Sequence, residues 1–423
     1  MSPAPVSRAH AERAAEILRT TTAIRERAGQ LLARARRGES QWWSVNDDKL
    51  ADAARAVVGA TRERYPKLHI PLHSRWRHFE AGGVDRKALL EQRLQDDPGV
   101  RARAMIDLAV VSVLLDAGAG ADWKYVEASS GQTFNRSEGL AVASFHAFSA
   151  GLFSSDKERP LQVDAAGLRA LVIDHLASAF QVGPSNPLVG LDGRAILLRR
   201  LGEVMSEQPE VFGESGRPGA LFDLFTGLVP HTAEVVAHDI FSQLLASLSP
   251  IWPAANQIGG IALGDCWRHS AVRESPQDAA SCGGASDGWM PFHKLSQWLT
   301  YSLLEPFSWN GVSVRGLDGL TGLPEYRNGG LLIDSGVLAL KEPALADALW
   351  QPGDELIVEW RALTVALLDE LAVPVRQQLG LDAQQLPLAR VLEGGTWAAG
   401  RTLAQRLRGG LPPLKVASDG TVF

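Results

Sequence analysis

The 423-residue sequence predicts a mainly α protein, a helical, bundle-like single large domain with a few short strands, and three observations predict it. Apolar residues recur at spacings of three, four and seven along most of the chain, the mark of helices with one buried face. Alternation with period two is confined to 312–314 and the tail 415–423. An apolar fraction of 45% with 21% charged residues fits a folded chain able to bury a sizeable core, and excludes disorder as the main state. At roughly 150 residues per domain the length admits two or three domains. Gly and Pro are spread out, however, and no repeat or linker marks a boundary. The reading is one domain over 1–423, with lobes at about 1–160 and 161–423 as its candidate subdivision.

Taken in order, residues 7–37 place Ala14, Ile17, Leu18, Ile24, Ala28, Leu31 and Leu32 on one stripe, with Gly38 as a stop, and read as one amphipathic helix. Glu12, Glu16 and Glu26 are the acids that organelle transit peptides avoid. Asp97-Pro98 supply an N-cap and a first-turn proline for a buried helix running to Leu115, before Gly118 and Gly120. Further helices are expected at 137–152, 164–180, 192–205, 219–228 and 232–248, from near 292, after 353, and at 400–408. The regions 117–136, 253–291 and 310–330 are the least helical and are dense in polar, aromatic and glycine residues. Long loops of that composition often carry function.

A formal charge of −6 and a pI near 6.0 leave no global basic field, so nucleic acid is disfavoured as a partner. Cys266 and Cys282 alone build neither a disulfide framework nor a multi-cysteine zinc site, and a reducing compartment is expected. No apolar run reaches the ~20 residues that span a bilayer, and the N-terminus has no hydrophobic signal core. A soluble, cytoplasmic protein without a membrane partner is expected.

Residues 122–138 gather three aromatics, cations, carboxylates and small hydroxyls between two apolar helices. Ser129, Ser130 and Gly131 can bring backbone N–H groups and hydroxyls to an anion, and Ser137-Glu138 can open the next helix, whose N-terminus favours negative charge. The segment reads either as half of a pocket for a phosphorylated small molecule or as a capped, salt-bridged loop. His73 to Glu80 mix cations with aromatics, fit for stacking on a flat group or for an ion-pair cluster. Asp265, Cys266 and His269, with Cys282, permit a thiol nucleophile or a metal site on paper, but the spacing matches no common zinc pattern, and a satisfied polar turn is preferred. Lys294, Gln297 and Tyr301 share one helix face. Glu325-Tyr326-Arg327-Asn328 follow Pro324 in a turn that can fix a carboxylate beside a helix mouth. Glu359 and Arg361 lie in an apolar helical run and do not share a face, so one can point into a site while the other pairs elsewhere.

The strings DWKYVEASSGQTFNRSEGLAVASFHAFSAGLFSSD (122–156) and GLTGLPEYRNGGLLIDSGVL (319–338) resemble the uracil-catabolism protein family of fungi and bacteria, long carried as a domain of unknown function. That resemblance covers nearly the whole chain. It implies a pathway in which uracil becomes a nucleotide, its ring is opened and urea is released, beside a GTP-cyclohydrolase-II-like enzyme, the expected partner, and a uracil phosphoribosyltransferase. A more distant similarity, over 292–371, is to the queuosine-nucleotide glycosidase family, helical and related in fold to DNA glycosylases. Its order of a Lys/Gln helix, an acid-Tyr-Arg turn and a late Glu-x-Arg-Ala helix is met here by Lys294 and Gln297, by Glu325, Tyr326 and Arg327, and by Glu359 and Arg361. Glu325 stands where that pattern has aspartate, and Asn328-Gly329-Gly330 follow the arginine.

Together the resemblances imply a metal-independent, cofactor-free catalytic domain that hydrolyses the N-glycosidic bond of a ribosylurea 5-phosphate-like compound. Glu325 would stabilise the sugar cation or activate water, with Asp122 or Glu127 as second polar partner. Lys294, Arg327 and Arg361 would hold the phosphate, and Trp123 and Tyr326 would wall the pocket. Lys124, Ser129, Ser130, Gln132, Arg136, Gln297, Asn328 and Glu359 complete the expected substrate contacts. The alternatives are a non-catalytic scaffold or regulatory partner of the ring-opening enzyme, which would bind without turnover, and a urea-releasing amidohydrolase. The metal-dependent form of the latter calls for clustered ligands that the ten histidines do not form.

Overall fold

Helix dominates because the three-to-four-residue apolar spacing runs through long stretches with well-placed caps. The computed structural model describes residues 6–227, 233–252 and 256–417 and is mainly helical, with only two-stranded pairings among the described residues. The described chain divides into two compact units, each assembled from separated stretches: 6–73, 256–297 and 317–417 in the first, and 74–227, 233–252 and 298–316 in the second.

In the first unit the helix Glu355–Leu379 is the spine, buried along most of its length and packed by Thr21–Arg36 and Leu50–Arg64. Trp43 stacks on its Trp360, with ring centroids 6.4 Å apart, and donates from Nε1 to the Leu356 carbonyl at 3.1 Å. The stripe expected over 7–37 is two helices, Arg8–Leu18 and Thr21–Arg36. Thr20 divides them: its backbone is extended (φ −99°, ψ 146°) and its hydroxyl caps Ala23 N–H, an N-cap choice that ends one helix and starts another without disturbing the apolar period. The first of these packs Ala11, Ala14, Ala15 and Leu18 against Ile258, Leu263, Cys266, Cys282 and Trp289. Tyr326–Asp334 lies against Trp397–Arg408 and the spine; a β-carbon on Gly329 would sit 2.7 Å from the Trp360 ring, so glycine sets that approach. Lys415–Val416 pairs in parallel with Leu349–Trp350, Ala417 N–H donates to the Trp350 carbonyl at 2.8 Å, and 418–423 of the tail expected as strand lie outside the described residues.

In the second unit Pro98–Leu114 is the buried helix anticipated from Asp97-Pro98, with Asp97 Oδ1 accepting the Val100 amide at 2.8 Å. Arg136–Ser149, Leu191–Ser206 and Ala220–Thr226 pack on it. The single helix expected at 164–180 is two, Ala165–Arg169 and Ile173–Ala179, parted at the extended Val172. Of 232–248, the described portion opens as a strand, Glu234–Val236, pairing in parallel with Ser313–Arg315, before the helix Ala237–Leu248. The β-branched Val235 and Val236 suit a strand better than the helix expected there. The helix Lys294–Trp309 begins with one turn in the first unit and continues in the second.

Candidate functional site

In the first unit four separated segments meet at the start of two helices. Asp265 sits just before the strand Cys266–Arg268 and receives both terminal nitrogens of Arg361, at 2.7 and 2.8 Å. It also accepts the Trp267 indole N–H at 2.7 Å and, at Oδ2, the Lys294 backbone N–H at 2.9 Å. Its carboxylate therefore ties the spine to the opening of the Lys294 helix. Burial pushes the Asp265 pKa up, but the Arg361 charge and hydrogen bonds, the Lys294 amide and the Trp267 indole outweigh it and hold the group well below the usual aspartate range. The turn into this helix places His293 at φ 49°, a left-handed conformation in a non-glycine residue, pinned by its ring Nε2 against the Leu18 carbonyl at 2.9 Å.

Glu325 is the N-cap of Tyr326–Asp334. Its Oε2 accepts Arg327 N–H at 2.7 Å and its Oε1 accepts Asn328 N–H at 2.6 Å, satisfying two of the orphan donors at the helix start. Burial raises its pKa above the ordinary glutamate value, against the pull of those two amides and of the Lys294 and Arg327 charges. Arg327 is 3% exposed, lies with its guanidinium carbon 4.7 Å from the Tyr326 ring centroid, and leaves Nε and Nη1 without a partner among the described residues. Arg361 adds a hydrogen bond from Nε to the Pro324 carbonyl at 3.3 Å and stacks over Phe292. Glu359, fully buried, takes a different direction from Arg361, as their helix spacing required. Its Oε2 faces His269 Nε2 at 3.3 Å and Arg34 Nη1 at 3.5 Å, while Oε1 has no partner among the described residues. His269 Nδ1 accepts the Ala271 N–H at 3.1 Å, so Nε2 is the nitrogen that donates to Glu359.

The expected residues of 122–136 fall in the second unit and form a hairpin, Lys124–Val126 with Thr133–Asn135. Trp123, expected to wall a pocket, is fully buried, stacks on Phe180 and donates from Nε1 to the Phe180 carbonyl at 3.0 Å. Its amphipathic ring is used in the core. Glu127 is likewise buried: Arg86 grips it at 2.8 and 2.7 Å, and Ser130 Oγ and His146 Nε2 approach to 2.6 Å. Burial opposes ionisation there, but the Arg86, Ser130 and His146 hydrogen bonds bring the pKa down to about 2, a fixed anion inside a clamp. Asp122, Lys124, Ser129, Gln132 and Arg136 are exposed, and Gln132 reaches the Gly82 carbonyl at 3.1 Å. The hairpin thus follows the salt-bridged alternative. Within 73–80, His73 faces Glu393 at 2.9 Å in the first unit and Arg77 pairs with Glu305 at 3.0 Å in the second, which is the ion-pair alternative. Cys266 is buried and its thiol pKa is raised by desolvation, the reverse of an activated nucleophile.

The sequence placed Asp265 by preference in a polar turn, with a thiol or metal cluster as the alternative, whereas the structure makes it the partner of Arg361 and the anchor of Lys294. The sole signal was an isolated acid after a glycine; its partner lies 96 positions away. Arg86, the counter-charge of Glu127, was missed for the same reason.

These features define a mainly helical protein with a half-buried acid and a buried guanidinium at one helix mouth. The chain belongs to the family described as Protein of unknown function (DUF1688), whose model matches residues 17–423. It is 40% identical over 414 residues to Protein urg3 of Schizosaccharomyces pombe, covering 95% of this chain and 96% of that protein. It is 41% identical over 381 residues to Uracil catabolism protein 4 of Lachancea kluyveri, covering 84% of this chain and 85% of that one. The family resemblance read from 122–156 and 319–338 is thereby established. No helix among the described residues is long and apolar enough to cross a membrane.

Proposed function

We propose that this chain acts in uracil catabolism, the process named for its Lachancea relative, and there hydrolyses the N-glycosidic bond of a ribosylurea 5-phosphate-like compound to urea and ribose 5-phosphate. The observation that carries the reading is Arg327, a buried guanidinium with two unpartnered nitrogens beside the half-buried Glu325. Unpartnered buried donors are costly unless a ligand completes them, and an anionic ligand does so best.

In the reaction the anomeric C–N bond breaks with its electron pair leaving on nitrogen, water supplies the new C–O bond, and the departing amide nitrogen gains a proton. Glu325 stabilises the oxocarbenium-like sugar or takes the proton of the attacking water. A raised pKa improves it as a proton acceptor near neutral pH. Lys294 and Arg327 hold the phosphate. Arg361, neutralised at both terminal nitrogens by Asp265, serves as a fixed wall that keeps Lys294 in place. Neither Glu127 nor Trp123 is assigned a chemical role, since their functional atoms are engaged.

Purified protein incubated with ribosylurea 5-phosphate, made from UMP by a ring-opening enzyme, should release urea and ribose 5-phosphate in equal amounts, with chelator present. Both products failing to form would overturn the hydrolase reading. One observation favours a second reading, a non-catalytic partner of the ring-opening enzyme: both Glu325 oxygens already serve as helix cap. Tight binding without turnover, and a faster ring-opening enzyme on mixing, would support it.

A further inference from the structure

Two buried carboxamides at this helix mouth are anchored in opposite senses by one short stretch of backbone. Gln297 is fully buried, and its Oε1 accepts the Thr321 N–H in a long contact of 3.5 Å, which leaves Nε2 without a partner among the described residues. Asn328 is 1% exposed, and its Nδ2 donates to the Leu323 carbonyl at 3.1 Å, which leaves Oδ1 without a partner among the described residues. The anchors fix the orientations. Turned over, Gln297 would set its NH2 against the Thr321 N–H, and Asn328 would set its oxygen against the Leu323 carbonyl, like against like in each case. Residues 321 and 323 therefore hold one free donor and one free acceptor, and the residue that carries the acceptor also gives its backbone amide to Glu325 at 2.6 Å.

We infer that Gln297 and Asn328 form an amide-reading pair: Gln297 Nε2 donates to a ligand carbonyl and Asn328 Oδ1 accepts a ligand N–H. The ligand group is a planar amide edge carrying C=O and N–H side by side. Two sources carry that edge, an intact pyrimidine ring and an opened ureide. A sugar phosphate alone leaves both side chains unsatisfied, and a site built to hydrogen-bond an N–H rejects analogues that lack it far more strongly than an apolar pocket rejects a small change in size. The inference rests on the proposal that this helix mouth is the substrate site, and it adds which atoms read which group.

The test is calorimetric binding to the full chain, using ribosylurea 5-phosphate, UMP, 3-methyl-UMP and ribose 5-phosphate, with Glu325→Gln as background so that no turnover intervenes. An amide-bearing compound should bind at least about tenfold more tightly than ribose 5-phosphate, and Gln297→Met or Asn328→Leu should each remove about tenfold of that preference while ribose 5-phosphate binding stays constant. Preference for ribosylurea 5-phosphate identifies the opened ureide as source. Preference for UMP over 3-methyl-UMP identifies the intact ring, and would keep the pair while discarding the glycosidase reading. Equal binding of all four compounds, or a preference that survives both substitutions, overturns the inference. Should either variant fail to fold, the ligand-side comparison on the Glu325→Gln background decides alone. Absence of urea release alongside a clear amide preference would defeat the catalytic proposal and leave the pair standing.

Discussion

Replacing Asp265 with asparagine isolates the charge that joins the spine to the Lys294 helix. Asparagine keeps the shape and retains one oxygen for the Lys294 amide or for Arg361, but it leaves a guanidinium whose side chain is 1% exposed without its counter-charge. Breaking a buried pair by removing one partner costs about 3–5 kcal/mol. The Asp265 side chain is 11% exposed, so water offsets part of this and about 2–4 kcal/mol is expected. The two-unit chain need not unfold in one step, so the assay is local: hydrogen exchange of the Lys294 amide, whose proton is bonded to Oδ2. At a tenfold change per 1.4 kcal/mol, that amide should exchange roughly 30- to 700-fold faster in the variant at pH 7. The sign with pH follows from linkage. The folded pKa of Asp265 is depressed, so its stabilisation is fully present above the ordinary aspartate value and is lost as pH falls through the folded value. The gap between wild type and variant should therefore narrow below about pH 4, where the unfolded aspartate begins to protonate. Unchanged Lys294 exchange at pH 7, or a gap constant from pH 7 to pH 3, would refute the charge argument.

Glu325→Gln should lower turnover of ribosylurea 5-phosphate by about 10²- to 10⁴-fold with substrate still bound, and unchanged kcat in steady-state kinetics would remove Glu325 from the chemistry. Because burial raises the Glu325 pKa, the acidic limb of the wild-type kcat/KM profile should fall at a pH above the ordinary glutamate value of about 4.3, and a limb at or below that value contradicts the assignment. Glu393, held by Arg64, Tyr65 and His73, has its pKa brought down to about 2 against the desolvation that opposes it. Its stabilisation of about 3 kcal/mol should be present above pH 4.5 and decline as pH falls towards 2, so Glu393→Gln should lower the urea midpoint at pH 7 and lose most of its effect at pH 2. Gly400→Ala pushes a β-carbon onto the Arg327 carbonyl, and should cost about 1–3 kcal/mol in denaturation and weaken ribose 5-phosphate binding by shifting the helix that carries Arg327.

What the sequence disclosed and withheld divides along a physical line. Helices announced by a cap and a sustained apolar period, such as Asp97-Pro98 onward, lie where they were expected because the cap and the buried face are local facts. Thr20 and Val172 escaped because a break that preserves the apolar period leaves no trace in that period. Leu50–Arg64 escaped too, although its buried Ala53, Ala54, Val57, Val58 and Thr61 have helical spacing; small side chains weaken the contrast between faces. For the site, composition drew attention equally to 122–138 and 320–330, because a string of acids, cations and aromatics reads the same whether its charges face each other or await a ligand. Only partners distinguish them. Arg86 lies 41 positions before Glu127 and closes that network, while nothing among the described residues closes Arg327 Nε, Gln297 Nε2 or Asn328 Oδ1. A carboxylate with its counter-charge in place is architecture, and a buried donor without one is an argument for a ligand. That difference in satisfaction, more than the identity of any single residue, is why we propose the function at the mouth of Tyr326–Asp334 and not at the hairpin.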